Sequence, residues 1–158
     1  MGKARNRKGG GGMLEVGKNS YITAAEADAT LQHEALGVTW LNLPICVKEE
    51  YLLLAAARID SIAYRGHKCK DMSFPRTGQK CVPYAVRLAQ ALEACAELDA
   101  GANERREAVE NGLRSVSVGN TSETYSSRSS SYALGGVLKS RKALDLLRPY
   151  ILGSAVII

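Results

Sequence analysis

The chain has 158 residues, 46% hydrophobic and 23% charged, which suits one domain with a single core, and no run approaches the roughly 20 apolar residues of a membrane span. One Trp and one Phe stand against seven Tyr, so the core must come from Leu, Ile, Val and Ala, a composition that leans helical. Net charge is +5, but Lys3, Arg5, Arg7 and Lys8 supply four of those charges, so residues 13–158 are nearly balanced, which argues against a general duplex-binding surface.

Residues 1–12 read as a disordered basic leader with a Gly9–Gly12 spacer; no apolar segment follows it, so no secretory signal is expected and the chain is expected to be made in a cytosol. The four glycines are no phosphate loop, because no strand precedes them and no Lys-Ser/Thr pair follows. Order should begin near Leu14. Thr23 and Glu26 form a capping box, which opens a helix expected to run to Leu36 and stop at Gly37, with Ala24, Ala27, Leu31 and Ala35 on one face. A connection holding Trp40 and Leu43 leads through Pro44 to a longer helix over about 47–64, with Leu52, Ala55, Ile59 and Ile62 on its stripe and Gly66 as its stop.

Residues 67–82 break the pattern, and Phe74, Pro75, Arg76, Thr77 and Gly78 carry turn chemistry, so a packed loop anchored by Phe74, Pro75 and Arg76 is expected. Pro83 suits the start of a third long helix to about Ala100, with Tyr84, Leu88, Ala91, Leu92, Cys95 and Leu98 inward. A helical extension over Glu104–Val109 is a weaker expectation. Val116 and Val118 alternate with serines ahead of Gly119-Asn120, which predicts a hairpin returning through Thr121–Tyr125, followed by a serine- and glycine-rich linker over 126–136. The last helix should begin at Ser140, face Ala143, Leu144, Leu147 and Ile151 inward, and end at Pro149. The fold class is therefore mainly α: a small bundle of about four helices, with a hairpin and long loop inserted between the third and last helices, spanning 13–152 and followed by an apolar tail, 153–158.

Little in this sequence suggests catalysis. His33 and His67 have no nucleophile placed against them by a strand-turn-helix arrangement, and the acidic pairs Glu49/Glu50 and Glu104/Glu107 lie in helical, solvated stretches. Cys46, Cys69, Cys81 and Cys95 lack the close pairs of a structural zinc site, so no metal or cofactor is expected and the thiols should be reduced and partly buried. Two segments stand out. Arg114, Tyr125, Arg128 and Tyr132 suit either stacking on single-stranded bases or an adaptable protein interface, with two aromatics making a thin stacking platform. Tyr150, Ile151, Leu152, Val156, Ile157 and Ile158 form an apolar end that should pack on the domain or on a partner.

The ordered series NSYITAAEADA (Asn19–Ala29), AAARIDSIAY (Ala55–Tyr64), MSFPRTG (Met72–Gly78), the helix Pro83–Leu98, the Arg114–Tyr125 hairpin and DLLRPYI (Asp145–Ile151) resembles the head-tail connector proteins of tailed bacteriophages. These are also called adaptor or head-completion proteins, and some carry a DnaT-like single-stranded DNA-binding label. The resemblance implies a structural virion protein at the neck of the particle, assembled in the host cytoplasm. Copies would close into a ring, commonly of twelve, against the portal protein, extending the channel for packaged double-stranded DNA and receiving a tail or stopper protein. It supplies no catalytic residues. Tyr150, Ile151, Leu152, Val156, Ile157 and Ile158 are then the expected portal contacts, and Arg114, Tyr125, Arg128 and Tyr132 the tail-side or DNA contacts. The alternative is a single-stranded DNA-binding protein using those same two arginines and two tyrosines; a regulatory or scaffold protein binding through its amphipathic helices is a third reading.

Overall fold

A computed structural model describes residues 13–99, 115–118, 121–124 and 138–153. Five α-helices dominate the described residues: α1 (Ala24–Leu31), α2 (Gly37–Leu41), α3 (Ile45–Asp60), α4 (Tyr84–Ala96) and α5 (Arg141–Leu147), the last running into a 3-10 turn, Arg148–Tyr150. Two short strands, β1 (Ser115–Val118) and β2 (Thr121–Thr124), pair antiparallel with Ser115 opposite Thr124 and Val118 opposite Thr121. The Glu104–Val109 extension, residues Gly119 and Asn120, and the linker 126–136 lie outside the described residues.

Helix α1 starts where its cap requires. The Thr23 hydroxyl accepts from the Glu26 amide at 3.2 Å and the Glu26 carboxylate accepts from the Thr23 amide at 2.8 Å, so two orphan donors of the first turn are satisfied together. The helix ends five residues earlier than the sequence suggests, and Gly37 opens α2 instead of closing α1. Its role is close approach: a Cβ at Gly37 would lie 2.1 Å from the Leu31 carbonyl oxygen. That approach folds α2 back so that Trp40 enters the core, fully buried, with its indole N–H donating 2.8 Å to Asp28 Oδ1. Ala35, expected on the inward face of α1, is exposed in the turn between the helices.

Helix α3 ends at Asp60 rather than Tyr64, because side chains take its last carbonyls. The Ser61 hydroxyl donates to Arg58 O (2.6 Å), the Tyr64 phenol to Ile59 O (2.8 Å) and the Ser73 hydroxyl to Asp60 O (3.3 Å). Gly66, at φ +78°, turns the chain after Tyr64 rather than capping the helix itself.

Helix α4 is the centre of the bundle, packed against α1, α3 and α5. Contact on three sides leaves no polar face over its second half: Gln90 and Glu93 are as buried as Ala89, Ala91 and Ala94. Gln90 is satisfied on every side. Its carbonyl accepts from the Tyr21 amide (2.8 Å), and its amide donates to Ser20 Oγ (2.7 Å) and Leu52 O (2.9 Å), fastening the segment before α1 to α3 and α4. The buried Glu93 carboxylate accepts from Arg58 Nη1 (3.0 Å) and from the amides of Lys139 and Ser140 (2.8 Å each). It thereby holds the N-terminus of α5, where the Ser140 hydroxyl caps the Ala143 amide. Tyr84, expected on the inward stripe of α4, is instead 65% exposed, since Pro83 starts the helix outside the bundle.

Candidate nucleic-acid interface

Between α3 and α4 the chain forms a loop whose base is rigid and whose rim is cationic. At the base, the buried Phe74 ring lies edge-on to three tyrosines, Tyr64 at 4.6 Å, Tyr150 at 5.5 Å and Tyr21 at 6.1 Å between centroids. The Phe74-Pro75 peptide is cis. Two short stretches pair across the loop: Cys69 donates to Pro75 O (3.2 Å), and Thr77 donates to His67 O (2.8 Å), around a bridge between Lys68 and Arg76.

Arg76 is the clamp of this structure. Its guanidinium donates to the carbonyls of Tyr64 (2.9 Å), Arg65 (2.9 Å), Gly66 (2.5 Å) and Ser73 (3.1 Å), which ties both ends of the loop to one rigid fork. Asp60 completes the anchorage: it accepts from the Tyr21 phenol and from the Ser73 amide (3.2 Å). Burial, with the Asp60 carboxylate next, pushes the Tyr21 phenol well above its ordinary pKa, and the same two causes raise Tyr64. Both phenols therefore stay neutral donors across the physiological range.

The rim is different. Residues 65–80 hold Arg65, Lys68, Lys70, Arg76 and Lys80 against the single carboxylate Asp71. Arg65, Lys68, Lys70 and Lys80 are all exposed, as is His67. Lys68 reaches the Asp71 carbonyl at 3.3 Å, and Lys70 and Lys80 have no hydrogen-bond or ion-pair partner among the described residues. Four residues beyond Lys80 stands the exposed Tyr84, with the Arg87 guanidinium over its ring at 5.6 Å.

Sequence reasoning missed this loop as a charged feature. Near-neutrality over 13–158 averages a strongly positive loop with an acidic remainder, and a window of sixteen residues would have separated them. Of the residues singled out from sequence, Phe74, Pro75 and Arg76 meet at the loop's base. Arg114, Tyr125, Arg128, Tyr132, Val156, Ile157 and Ile158 lie outside the described residues. The C-terminal group divides: Leu152 is 63% exposed, Tyr150 packs on Phe74, and Ile151 is fully buried. Ile151 is thus corrected from a surface contact to a core residue, held by a bridge to Tyr64 while Leu152 donates to Ala63 O at 2.9 Å. The cysteines also depart from expectation, since Cys46, Cys69 and Cys81 are exposed and only Cys95 is buried, where burial raises its thiol pKa. No group of His, Cys, Asp or Glu among the described residues is arranged to hold a metal ion, and no described helix is long and apolar enough to cross a membrane.

A family model described as "Putative DnaT-like ssDNA binding protein" matches residues 11–157. The chain belongs to this family. No curated protein and no solved structure matches it. The match takes in every described element of this DnaT-like chain, the loop 65–80 among them.

Proposed function

We propose that this DnaT-like protein binds single-stranded DNA by its phosphate backbone, with the cationic rim of the 65–80 loop as the contact surface. The observation that carries the reading is the contrast in how cations are used. Lys48, Arg58, Lys139 and Lys142 are each committed to a carboxylate within the fold, whereas Lys70 and Lys80 project from an anchored loop with no partner among the described residues. Cations held on a rigid base and exposed to solvent release counterions when a polyanion binds. The family's description points to the same ligand. Arg114, Tyr125, Arg128 and Tyr132 would extend the contact along the strand.

The test is a salt-dependent titration with an oligonucleotide. The variant K68A/K70A/K80A should bind at least tenfold more weakly and flatten the slope of log affinity against log salt by about 2, at about 0.7 for each single-strand phosphate contact removed. Affinity without salt dependence, or a slope unchanged in the variant, would defeat the reading.

A second reading, the ring-forming head-tail connector, is favoured by a different observation. Val38, Leu41 and Ile45, 71%, 43% and 61% exposed, line the junction of α2 and α3 as an apolar edge that a second copy of the chain would cover. In that reading the protein resides at the neck of a virion, contacts portal and tail proteins, and turns the cationic loop toward the DNA in the channel. The native mass, and its response to V38K/I45K, distinguishes the two: a ring dispersed by that variant supports the connector.

A further inference from the structure

Tyr84 is an aromatic side chain placed where a fold of this composition has little reason to expose one. It begins α4, 65% exposed, and packs on nothing but the Arg87 guanidinium over its ring at 5.6 Å. That guanidinium is itself weakly engaged. Its Nη1 lies 3.8 Å from Glu26 Oε1, and its buried Nε has no acceptor among the described residues. A cation backing an aromatic ring polarises it and keeps it planar to its neighbour, the arrangement on which an unpaired base stacks. Lys80 precedes the ring by four residues, within about 14 Å along the chain. A strand whose phosphates follow the loop rim therefore passes within reach of Tyr84.

We infer that Tyr84, backed by Arg87, is a base-stacking site that makes the protein discriminate single strands from duplex DNA. The inference rests on the proposed binding of DNA by the 65–80 loop and adds what the loop alone lacks. Lysines on phosphate accept any polyanion, but a stacking ring needs a base with a free face. Duplex bases are already stacked, so the site is closed to them.

Three probes separate the contributions: an oligothymidylate of about 20 nucleotides, long enough to span the site size of a single-strand binder, an abasic deoxyribose-phosphate oligomer of equal length, and a duplex of equal length. The full chain should prefer the oligothymidylate over the abasic oligomer by about 5- to 100-fold, the range of one aromatic-base stack. Tyr84→Phe should keep that preference. Tyr84→Ala should bind the oligothymidylate as weakly as the unaltered protein binds the abasic oligomer, with an unchanged salt slope, since no phosphate contact is removed. Equal affinity of Tyr84→Ala and the unaltered protein for the oligothymidylate would overturn the stacking site while leaving the loop reading intact. So would a fall in salt slope that parallels the loss of affinity, because Tyr84 would then act through the loop. If the unaltered protein binds none of the three probes in a salt-sensitive way, the loop reading falls and the stacking site with it.

Discussion

The helical body and the 65–80 loop are built from the same residue types and use them oppositely. In the body, cations are internal fasteners: Arg58 bridges Glu93 and Glu97, Lys139 pairs with Glu97 at 2.7 Å, and Lys48 is buried against Asp28 at 3.0 Å. In the loop, one cation, Arg76, is consumed by backbone carbonyls, and the others are lifted to the rim. The loop can tolerate mutual repulsion among its lysines because its shape is set from beneath, by an aromatic cluster and a guanidinium clamp, and not by the lysines themselves. A surface meant to bind a polyanion must resist collapse onto its own carboxylates, and a rigid base with one acid nearby achieves that.

The comparison breaks most readily at Phe74. Phe74→Ala removes a fully packed ring from among three tyrosines and should cost about 4 kcal/mol in denaturant unfolding, with DNA binding lost in whatever folded protein remains. Loss of binding without loss of stability would mean that the ring does not hold the loop. Glu93→Ala strikes the body instead. It strands the amides of Lys139 and Ser140 and one side of Arg58, at a cost of about 3 kcal/mol, yet oligonucleotide affinity of the folded fraction should not change.

Alkaline pH sharpens the contrast more gently. Because Tyr21 has its pKa raised on folding, its contribution is present in full below pH 10.0 and is lost as pH climbs past that value. Stability should therefore fall above about pH 10, and Tyr21→Phe, which deletes the bond to Asp60, should be less stable at neutral pH by about 1–2 kcal/mol but lose less with further base. Parallel curves for the two proteins would remove Tyr21 from the account. Smallest of all should be the effect of K68A/K70A/K80A on stability, within about 0.5 kcal/mol, because these exposed side chains hold nothing in place.

Local chemistry was the part that could be read directly. The Thr23/Glu26 box and the Ser140 cap depend on residues three apart, and the turn residues at Phe74–Gly78 announce a loop whatever surrounds it. Helix ends were less legible where the stop is remote: α3 ends at Asp60 because Tyr64 and Ser73 return to its carbonyls, and α1 ends at Leu31 because Gly37 must pass close to it. The candidate site was the least legible. Net charge was visible, but its concentration on one loop was hidden by averaging.

What the sequence by itself determined is the helical composition, the caps and the position of the loop, since each follows from contacts within a turn or two of chain. Only the tertiary structure decided which charges are spoken for. Glu93 and Gln90 look like surface residues of an amphipathic helix until α1, α3 and α5 close around α4, and Tyr84 looks like core until Pro83 sets it outside. Burial depends on which elements meet, and a charge is available to a ligand only when no partner distant in sequence has been folded against it.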